Sequence, residues 1–236
     1  MRALSVIHEP TCHLGTIRDR LDERGVSITE HLVTSDSARP ESHSPFPDPF
    51  DFDFMLVMGA SYSLNDHASI RTWIDRELEM LGNAAIGEVP MLAVCFGAQA
   101  LAAALGGEVT PATPPEIGWY EVTSMRPELI APGPWFQWHT DRFSVPPGAT
   151  ELACTSHHPQ AFVYRRALAV QFHPEITPGQ METWLRLSGT EEWDEVGADV
   201  EEVLAESRAR RHASAAACAV LVDRFIDTFV RADRPR

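Results

Sequence analysis

A cysteine between an apolar run and an alanine-rich run is the residue of this sequence best placed for nucleophilic chemistry. Cys95 follows residues 90–94, which predict a buried strand, and precedes residues 98–105, which predict a helix ended by two glycines. On such a turn a side chain projects above the sheet edge if its neighbours are small, as Ala93 and Gly97 are. The first turn of the helix also favours thiolate over thiol. The alternative is an inert cysteine buried in a strand.

A nucleophilic thiol needs a base that takes its proton and a third group that orients the base. Of the ten histidines, His173 stands out because residues 167–172 predict a strand that ends directly before it. Glu175 lies two residues further on, so both side chains point to the same side of an extended backbone. The carboxylate can then hold the ring in the tautomer that presents its other nitrogen to Cys95. Taken alone, His-x-Glu is more often an ordinary loop pair.

Several separated motifs resemble the class I (triad) glutamine amidotransferases. They occur in the family's order over about residues 1–187. The motifs are Met58-Gly59-Ala60-Ser61, Ala93-Val94-Cys95-Phe96-Gly97, Gly118-Trp119, Trp138-His139-Thr140-Asp141 and Phe172-His173-Pro174-Glu175. The resemblance is strongest to stand-alone members similar to the amidotransferase domain of GMP synthetase.

The resemblance implies hydrolysis of glutamine by covalent catalysis. Cys95 would attack the side-chain carboxamide, His173 would protonate the departing ammonia and then activate water, and Glu175 would orient His173. The implied oxyanion donors are backbone N–H groups of Gly59, Ala60 and Phe96. The implied binding groups for the α-amino and α-carboxylate of the substrate are Gln99 and the segment Trp138, His139, Thr140 and Asp141.

Two residues depart from the family's common pattern, and neither is a catalytic side chain. Ala93 stands where the family usually has glycine two residues before the cysteine, and its methyl group tightens the elbow. Ala60 replaces the second glycine of the oxyanion turn, where a positive φ would disfavour it. His139 is the second-ranked candidate for the base, because in the family that histidine belongs to the substrate wall.

The elements around these residues alternate between strands and helices. This predicts an α/β fold with a mostly parallel central sheet and helices on both faces, and the resemblance implies its flavodoxin-like form. Predicted strands are residues 2–8, 26–33, 52–58 and 90–94, and predicted helices are 12–24, 70–81 and 98–105. The polar loop 59–66 follows a strand at its carboxyl end, where open α/β sheets bind ligands.

After residue 107 short strand-like runs separated by turns predict an added β-meander. The runs are residues 108–110, 118–124, 136–145, 151–156, 160–164 and 167–172, followed by predicted helices over 181–187, 196–211 and 215–230. We expect an amidotransferase domain over residues 1–190 and a helical extension packed on it over residues 191–236. Packing and solubility explain the last helices best, and a homodimer interface is the alternative.

Composition limits the partners and the compartment. The formal net charge of −15 disfavours nucleic acid and anionic membranes as partners. No apolar stretch is long enough for a signal peptide or a membrane span. The four cysteines are scattered without a C-x-x-C pair, which favours reduced thiols and a cytoplasmic location.

Metal and cofactor chemistry is not indicated by the sequence. A zinc deaminase also uses His-x-Glu but needs a Pro-Cys-x-x-Cys partner, and no phosphate-binding G-x-x-x-x-G-K-[ST] loop is present. His157-His158 and the acidic segment 191–202 lack paired ligand spacing.

Three functions remain open. A glutaminase subunit would deliver ammonia to a separate synthase and be stimulated by it. A free-standing hydrolase of γ-glutamyl amides or peptides would be fully active alone with the same triad. A binding protein that keeps the fold without turnover would not be labelled on its thiol by a glutamine analogue.

Overall fold

The computed structural model describes residues 1–188 and 191–231. Within those residues a sheet of nine strands has the order β2-β1-β3-β4-β9-β8-β7-β5-β6. The strands are β1 (Arg2–Ile7), β2 (Ser27–Leu32), β3 (Phe54–Val57), β4 (Met91–Val94), β5 (Val109–Ser124), β6 (Gly133–Phe143), β7 (Thr150–Cys154), β8 (Pro159–Tyr164) and β9 (Ala167–Val170). The five strands from β2 to β9 in that order pair in parallel, and the rest of the sheet is antiparallel.

Helices cover both faces of the parallel strands, as the alternating pattern predicts. They are α1 (Gly15–Glu23), α2 (His67–Ile70), α3 (Ile74–Ile86), α4 (Phe96–Ala104), α5 (Pro178–Ser188), α6 (Glu191–Val196) and α7 (Val200–Phe225). Successive residues of β3 alternate between two cores, with Leu56 facing α1 and α7 and Val57 facing α3 and α4. Because both faces are buried, the strand reads as a continuous apolar run.

The antiparallel strands extend the sheet beyond β9 and carry part of the site. β5 is one long strand where the sequence predicts two short runs, and its register with β6 shifts between Pro111 and Glu116. The irregularity at residues 111–116 interrupts the strand pattern, which is why sequence reasoning divides it. A third apolar cluster joins this arm to α5 and α6 and contains Phe136 and Trp193.

The predicted helix over residues 70–81 is wrong at both ends. α2 ends at Ile70, and α3 starts only at Ile74 and continues to Ile86. The chain turns between them, so that Trp73 is buried and its indole N–H donates to the carbonyl of Pro40 at 2.8 Å. Tertiary burial of Trp73 therefore decides where the helix begins.

The two helices predicted over residues 196–211 and 215–230 are one helix, α7, followed by a π-helical turn over Ile226–Val230. Residues 212–219, which include the predicted break and the start of the second predicted helix, contain five alanines and no glycine or proline, so nothing in the sequence ends the helix there. Asp199 caps α7 by accepting the N–H groups of Glu201 and Glu202 at 2.9 and 3.1 Å.

The domain boundary at residue 190 stays a prediction, and residues 189–190 and 232–236 lie outside the described part of the chain. α7 packs on α1 and contributes Leu221 and Phe225 to the core on that face of the sheet. An ion pair of 2.6 Å between Arg20 and Asp223 lies beside this contact. Among the helices that the structure describes, none has the length and apolar character needed to cross a bilayer.

Candidate active site

Cys95 sits on a strained turn between β4 and α4. Its φ is 51° and its ψ is −111°, values that a residue with a Cβ adopts only where the surrounding structure enforces them. Its N–H donates to the carbonyl of Val170 on β9 at 2.8 Å, which ties the turn to the next strand. The thiol thus lies at the carboxyl edge of the parallel strands, next to the unpaired first N–H groups that every helix presents.

The turn depends on the glycine two residues after the cysteine. A Cβ on Gly97 would lie 2.3 Å from the carbonyl oxygen of Val57, which is closer than two such atoms can approach. The first turn of α4 therefore packs directly on β3. Neither Ala93 nor Ala60 has a positive φ. Among the described non-glycine residues, the positive φ values belong to Glu88, Cys95 and Arg165.

His173 and Glu175 form a buried pair beside this turn. His173 Nδ1 lies 2.8 Å from Glu175 Oε1, and their exposures are 4% and 1%. Burial by itself would lower the pKa of His173, but the Cys95 and Glu175 side chains hold that pKa well above its usual value. A protonated His173 is the state that can donate a proton to a leaving group.

Gly59 lies close to both Cys95 and His173. A Cβ on Gly59 would be 3.5 Å from Cys95 Cβ and 3.1 Å from His173 Cε1. The three residues come from the ends of three neighbouring parallel strands, β3, β4 and β9. Ala60 and Phe96 also line the cavity at Cys95, so all three implied oxyanion residues adjoin the thiol.

The five residues implied in substrate binding line the same cavity, namely Gln99, Trp138, His139, Thr140 and Asp141. Four of them lie on β6, and the carbonyl of Trp138 is 3.9 Å from Cys95 Sγ. The Gln99 amide donates to the carbonyl of Asp141 at 3.0 Å, which joins α4 to β6. The Asp141 carboxylate accepts hydrogen bonds from Ser63 and Asn65, so it holds the loop after β3.

His139 has an oxygen close to each ring nitrogen. Nδ1 lies 2.9 Å from the carbonyl oxygen of Asp141, and Nε2 lies 3.1 Å from Glu116 Oε2. Glu116 is itself buried and accepts hydrogen bonds from Thr155 and Gln160. This geometry fits a wall residue held by a carboxylate better than a base that must reach the thiol.

Three groups at the site were missed by sequence reasoning. Gln171 Nε2 lies 3.7 Å from Cys95 Sγ, the Trp184 ring packs edge-on to His173 with centroids 5.1 Å apart, and Glu9 lines the cavity. Gln171 directly precedes Phe172-His173, so its position in the motif was a usable signal. Trp184 lies on α5 and Glu9 follows β1. Their contacts with the site join distant parts of the chain, so no local sequence pattern predicts them.

The cavity at these residues has a volume of about 590 Å³. Besides the residues already named, its lining includes Thr11, Cys12, Tyr62 and Leu187. Burial and then the neighbouring Glu9 carboxylate raise the pKa of the Cys12 thiol well above its usual value, which disfavours its thiolate. Across the described residues, no group of three or more His, Cys, Asp and Glu is arranged to hold a metal ion.

Sequence comparison identifies relatives of one kind. Residues 15–188 match the family described as "Glutamine amidotransferase class-I". A subunit of the glutamine-hydrolysing GMP synthase of Sulfurisphaera tokodaii is 34% identical over 140 residues, which cover 53% of this chain and 69% of that protein. The glutamine amidotransferase-like protein YfeJ of Salmonella typhimurium is 27% identical over 221 residues, 89% of this chain and 90% of that one. A match to the longer GMP synthase of Nitrosomonas eutropha covers only 20% of that protein.

Solved structures share the fold over nearly the whole chain. A glutamine amidotransferase from Thermotoga maritima superposes with a TM-score of 0.81 at 23% identity, covering 97% of this chain and 99% of that one. A glutamine amidotransferase from Methylobacillus flagellatus gives a TM-score of 0.82 at 23% identity, with 100% and 98% coverage. At this identity the likeness concerns the fold alone, whereas the family match spans most of the sequence. The chain belongs to the class I glutamine amidotransferase family.

Proposed function

We propose that this protein hydrolyses the side-chain amide of L-glutamine to glutamate and ammonia through a γ-glutamyl thioester on Cys95. The observation that carries the proposal is Cys95 at φ 51°, beside a buried His173–Glu175 pair of 2.8 Å. A strained nucleophile turn, an imidazole and an orienting carboxylate at one cavity are the parts of a triad mechanism. Membership of the family supports the same chemistry.

In the first half of the reaction, Cys95 Sγ attacks the amide carbon and the carbonyl oxygen takes up negative charge. The N–H groups of Ala60 and Phe96 are our candidate donors to that oxygen, with Gly59 giving the turn its close approach. Donors fixed in this way contribute about 3 to 4 kcal/mol each in comparable enzymes. His173 gives its proton to the nitrogen, which leaves as ammonia, and the thioester remains.

In the second half, His173 accepts a proton from water, and the resulting hydroxide attacks the thioester carbon. Collapse of the second tetrahedral intermediate releases glutamate and returns the thiol. Glu175 keeps the ring of His173 oriented in both halves. Gln99 and the backbone from Trp138 to Asp141 hold the α-amino and α-carboxylate groups of glutamine in this proposal.

We propose that the ammonia is consumed by a separate synthase chain. The relatives named as subunits of a GMP synthase support this, since a subunit by definition functions together with another chain. A homodimer and a cytoplasmic location stay predictions from the sequence.

A second candidate is free-standing hydrolysis of γ-glutamyl amides or peptides by the same triad. The observation that favours it is the 590 Å³ cavity, which continues past the thiol to Thr11, Trp184 and Leu187. Pockets of about 300 to 1,000 Å³ hold ligands larger than a free amino acid. Trp184 packs against His173 and lines this cavity. Since His173 is the proposed proton donor to the leaving nitrogen, a substituent on that nitrogen would lie near Trp184.

The deciding experiment measures glutamate and ammonia release from L-glutamine and from a panel of γ-glutamyl amides. Cys95→Ala should abolish release, whereas Cys154→Ala, at a half-buried cysteine on β7 outside the cavity, should keep it. Preference for a substituted amide would select the second candidate over the first. No release from any substrate, with Cys95 also inert to a glutamine-like electrophile, would contradict both and favour a binding protein.

A further inference from the structure

Two polar residues that follow β1 directly are buried beside the candidate oxyanion turn, defined here as Gly59, Ala60 and Ser61, and the second of them, Glu9, also lines the cavity. His8 has an exposure of 0% and Glu9 of 2%. The triad mechanism uses neither residue. Buried charged groups are costly unless they are paired, so their partners indicate what they hold in place.

His8 contacts the first carbonyl of the turn, that of Gly59. Its Nδ1 lies 3.4 Å from the carbonyl oxygen of Gly59, and its Nε2 lies 2.8 Å from Glu77 Oε1 on α3. The ring is wedged edge-on to Phe96, with centroids 4.8 Å apart, and tilted against Trp73 at 5.7 Å. His8 therefore contacts both places from which the candidate oxyanion donors come, the turn and the start of α4.

Glu9 holds the same turn one peptide further on. Its Oε1 accepts the N–H of Ser61 at 2.7 Å, and the Cys12 thiol donates to the same oxygen at 3.4 Å. The two peptide groups that flank Ala60 are thus each fixed by one of two consecutive residues. Ala60 is left between them with no need for a positive φ.

We propose that His8 and Glu9 are positioning residues that aim the Ala60 N–H at the oxyanion formed on Cys95. In a trans peptide, the C=O of one residue and the N–H of the next point in opposite directions. His8 is not among the residues that line the cavity, whereas Ala60 and Cys95 are, so in this proposal the Gly59 carbonyl turns away from the cavity and the Ala60 N–H turns toward it. This inference rests on the proposed function, since an oxyanion forms only if Cys95 attacks a carbonyl.

With Glu77 ionised, both contacts of His8 are hydrogen bonds only for a doubly protonated ring, because a neutral imidazole has one N–H and here faces two acceptors. Burial lowers the pKa of His8, but Glu77, the Gly59 carbonyl and Glu9 together raise it above its usual value. His31 on β2 also interacts electrostatically with Glu77, and with His8 and Arg76 as well. Removing the Glu77 charge should therefore release the proton of His8 and loosen the turn.

The first test compares His8→Gln and Glu77→Gln with matched controls at exposed positions, His212→Gln on α7 and Glu79→Gln on α3. We expect His8→Gln to lower kcat for glutamine about tenfold to a hundredfold with KM changed less than about threefold. This is below the 10²- to 10³-fold loss typical of deleting a donor outright. Glu77→Gln should move the alkaline limb of the kcat profile to lower pH.

The alkylation rate of Cys95 distinguishes a misdirected Ala60 N–H from a general loss of active-site structure. Alkylation of Cys95 by iodoacetamide displaces iodide at a saturated carbon and forms no oxyanion, so its rate should stay within about twofold of wild type in His8→Gln. An alkylation rate that falls in parallel with kcat would overturn the proposal, as would an unchanged kcat. If His8→Gln does not fold, the pH profile of Glu77→Gln decides, and an unshifted limb contradicts the proposal.

An activity-independent measurement keeps this inference distinct from the proposed function. In protein labelled with ¹⁵N-histidine, His8 should show two protonated ring nitrogens at neutral pH, and Glu77→Gln should remove one. If the wild type releases no ammonia from any γ-glutamyl substrate, the proposed function fails. The spectrum still tests whether a doubly protonated His8 binds both Glu77 and the Gly59 carbonyl. A neutral His8 in the wild type at neutral pH would contradict the two hydrogen bonds that we assign to its ring, and with them the positioning role of His8.

Discussion

Two buried histidine–glutamate pairs each place their histidine beside Gly59. In His173–Glu175 and in His8–Glu77 the ring nitrogen and the carboxylate oxygen are 2.8 Å apart. In both histidines burial lowers the pKa and acidic neighbours raise it, Cys95 and then Glu175 at His173 and Glu77 at His8, with a net rise. Of these two histidines, His173 is the one that borders the cavity with Cys95. The pair chemistry is therefore the same, and position relative to the thiol separates a candidate acid–base residue from a candidate support.

The largest expected effect comes from making one substitution in both pairs. Glu175→Gln should lower kcat by about 10³- to 10⁴-fold, as when the orienting carboxylate of a triad is replaced by its amide. Glu77→Gln should cost about tenfold at neutral pH, because it acts only through the turn. The measurement is steady-state ammonia release from L-glutamine, with the melting temperature of each variant recorded beside it. Equal losses in the two variants would remove the distinction between the pairs.

A methyl group added at Gly59 should give the second largest loss of kcat. The Cβ of Gly59→Ala would lie 3.1 Å from His173 Cε1 and 3.5 Å from Cys95 Cβ, so the imidazole must shift by a few tenths of an ångström. Because misplacement of about 1 Å can cost about 10²-fold in rate, we expect a loss of about tenfold. Gly179→Ala on α5, where no atom lies within 4 Å of the new Cβ, should leave kcat unchanged. A fully active Gly59→Ala variant would show that catalysis does not need the His173 imidazole at its position close to Gly59.

The smallest effect is on stability and its pH dependence. The folded-state pKa of His8 is raised, so the stabilisation it gains from Glu77 is fully present below the pKa of an unfolded histidine, about 6.5. It is lost as the pH rises through the raised value. The difference in free energy of unfolding between wild type and Glu77→Gln should therefore shrink from about pH 6 to about pH 9. Urea titrations at both values measure it, and a difference that grows with pH would contradict the sign.

The sequence was informative where chemistry is encoded locally. The strand, small residue, cysteine and glycine around Cys95 predict the turn, and its positive φ follows from that arrangement. His173 and Glu175 are two residues apart, so their mutual contact also follows from local geometry. The alternation of strands and helices along the chain predicts helices on both faces of the sheet, which the fold confirms.

The parts that sequence reasoning missed depend on contacts across the sheet. His8 and Glu9 read as an unremarkable end of β1, because their partners Glu77 and Ser61 are 69 and 52 residues away. The start of α3 depends on burial of Trp73, and the continuity of α7 depends on an alanine run that carries no stop signal. The binding roles of the β6 residues came from family resemblance and stay predictions.

The most direct test of the central claim is to look for the thioester itself. Protein mixed with L-glutamine, quenched in acid and digested should yield a γ-glutamyl adduct on the peptide that contains Cys95, and on neither the Cys12 nor the Cys154 peptide. Glu175→Gln should form the adduct more slowly, and Cys95→Ala should form none. Glutamine turnover that persists in Cys95→Ala, or an adduct on another cysteine with Cys95 unmodified, would contradict the account.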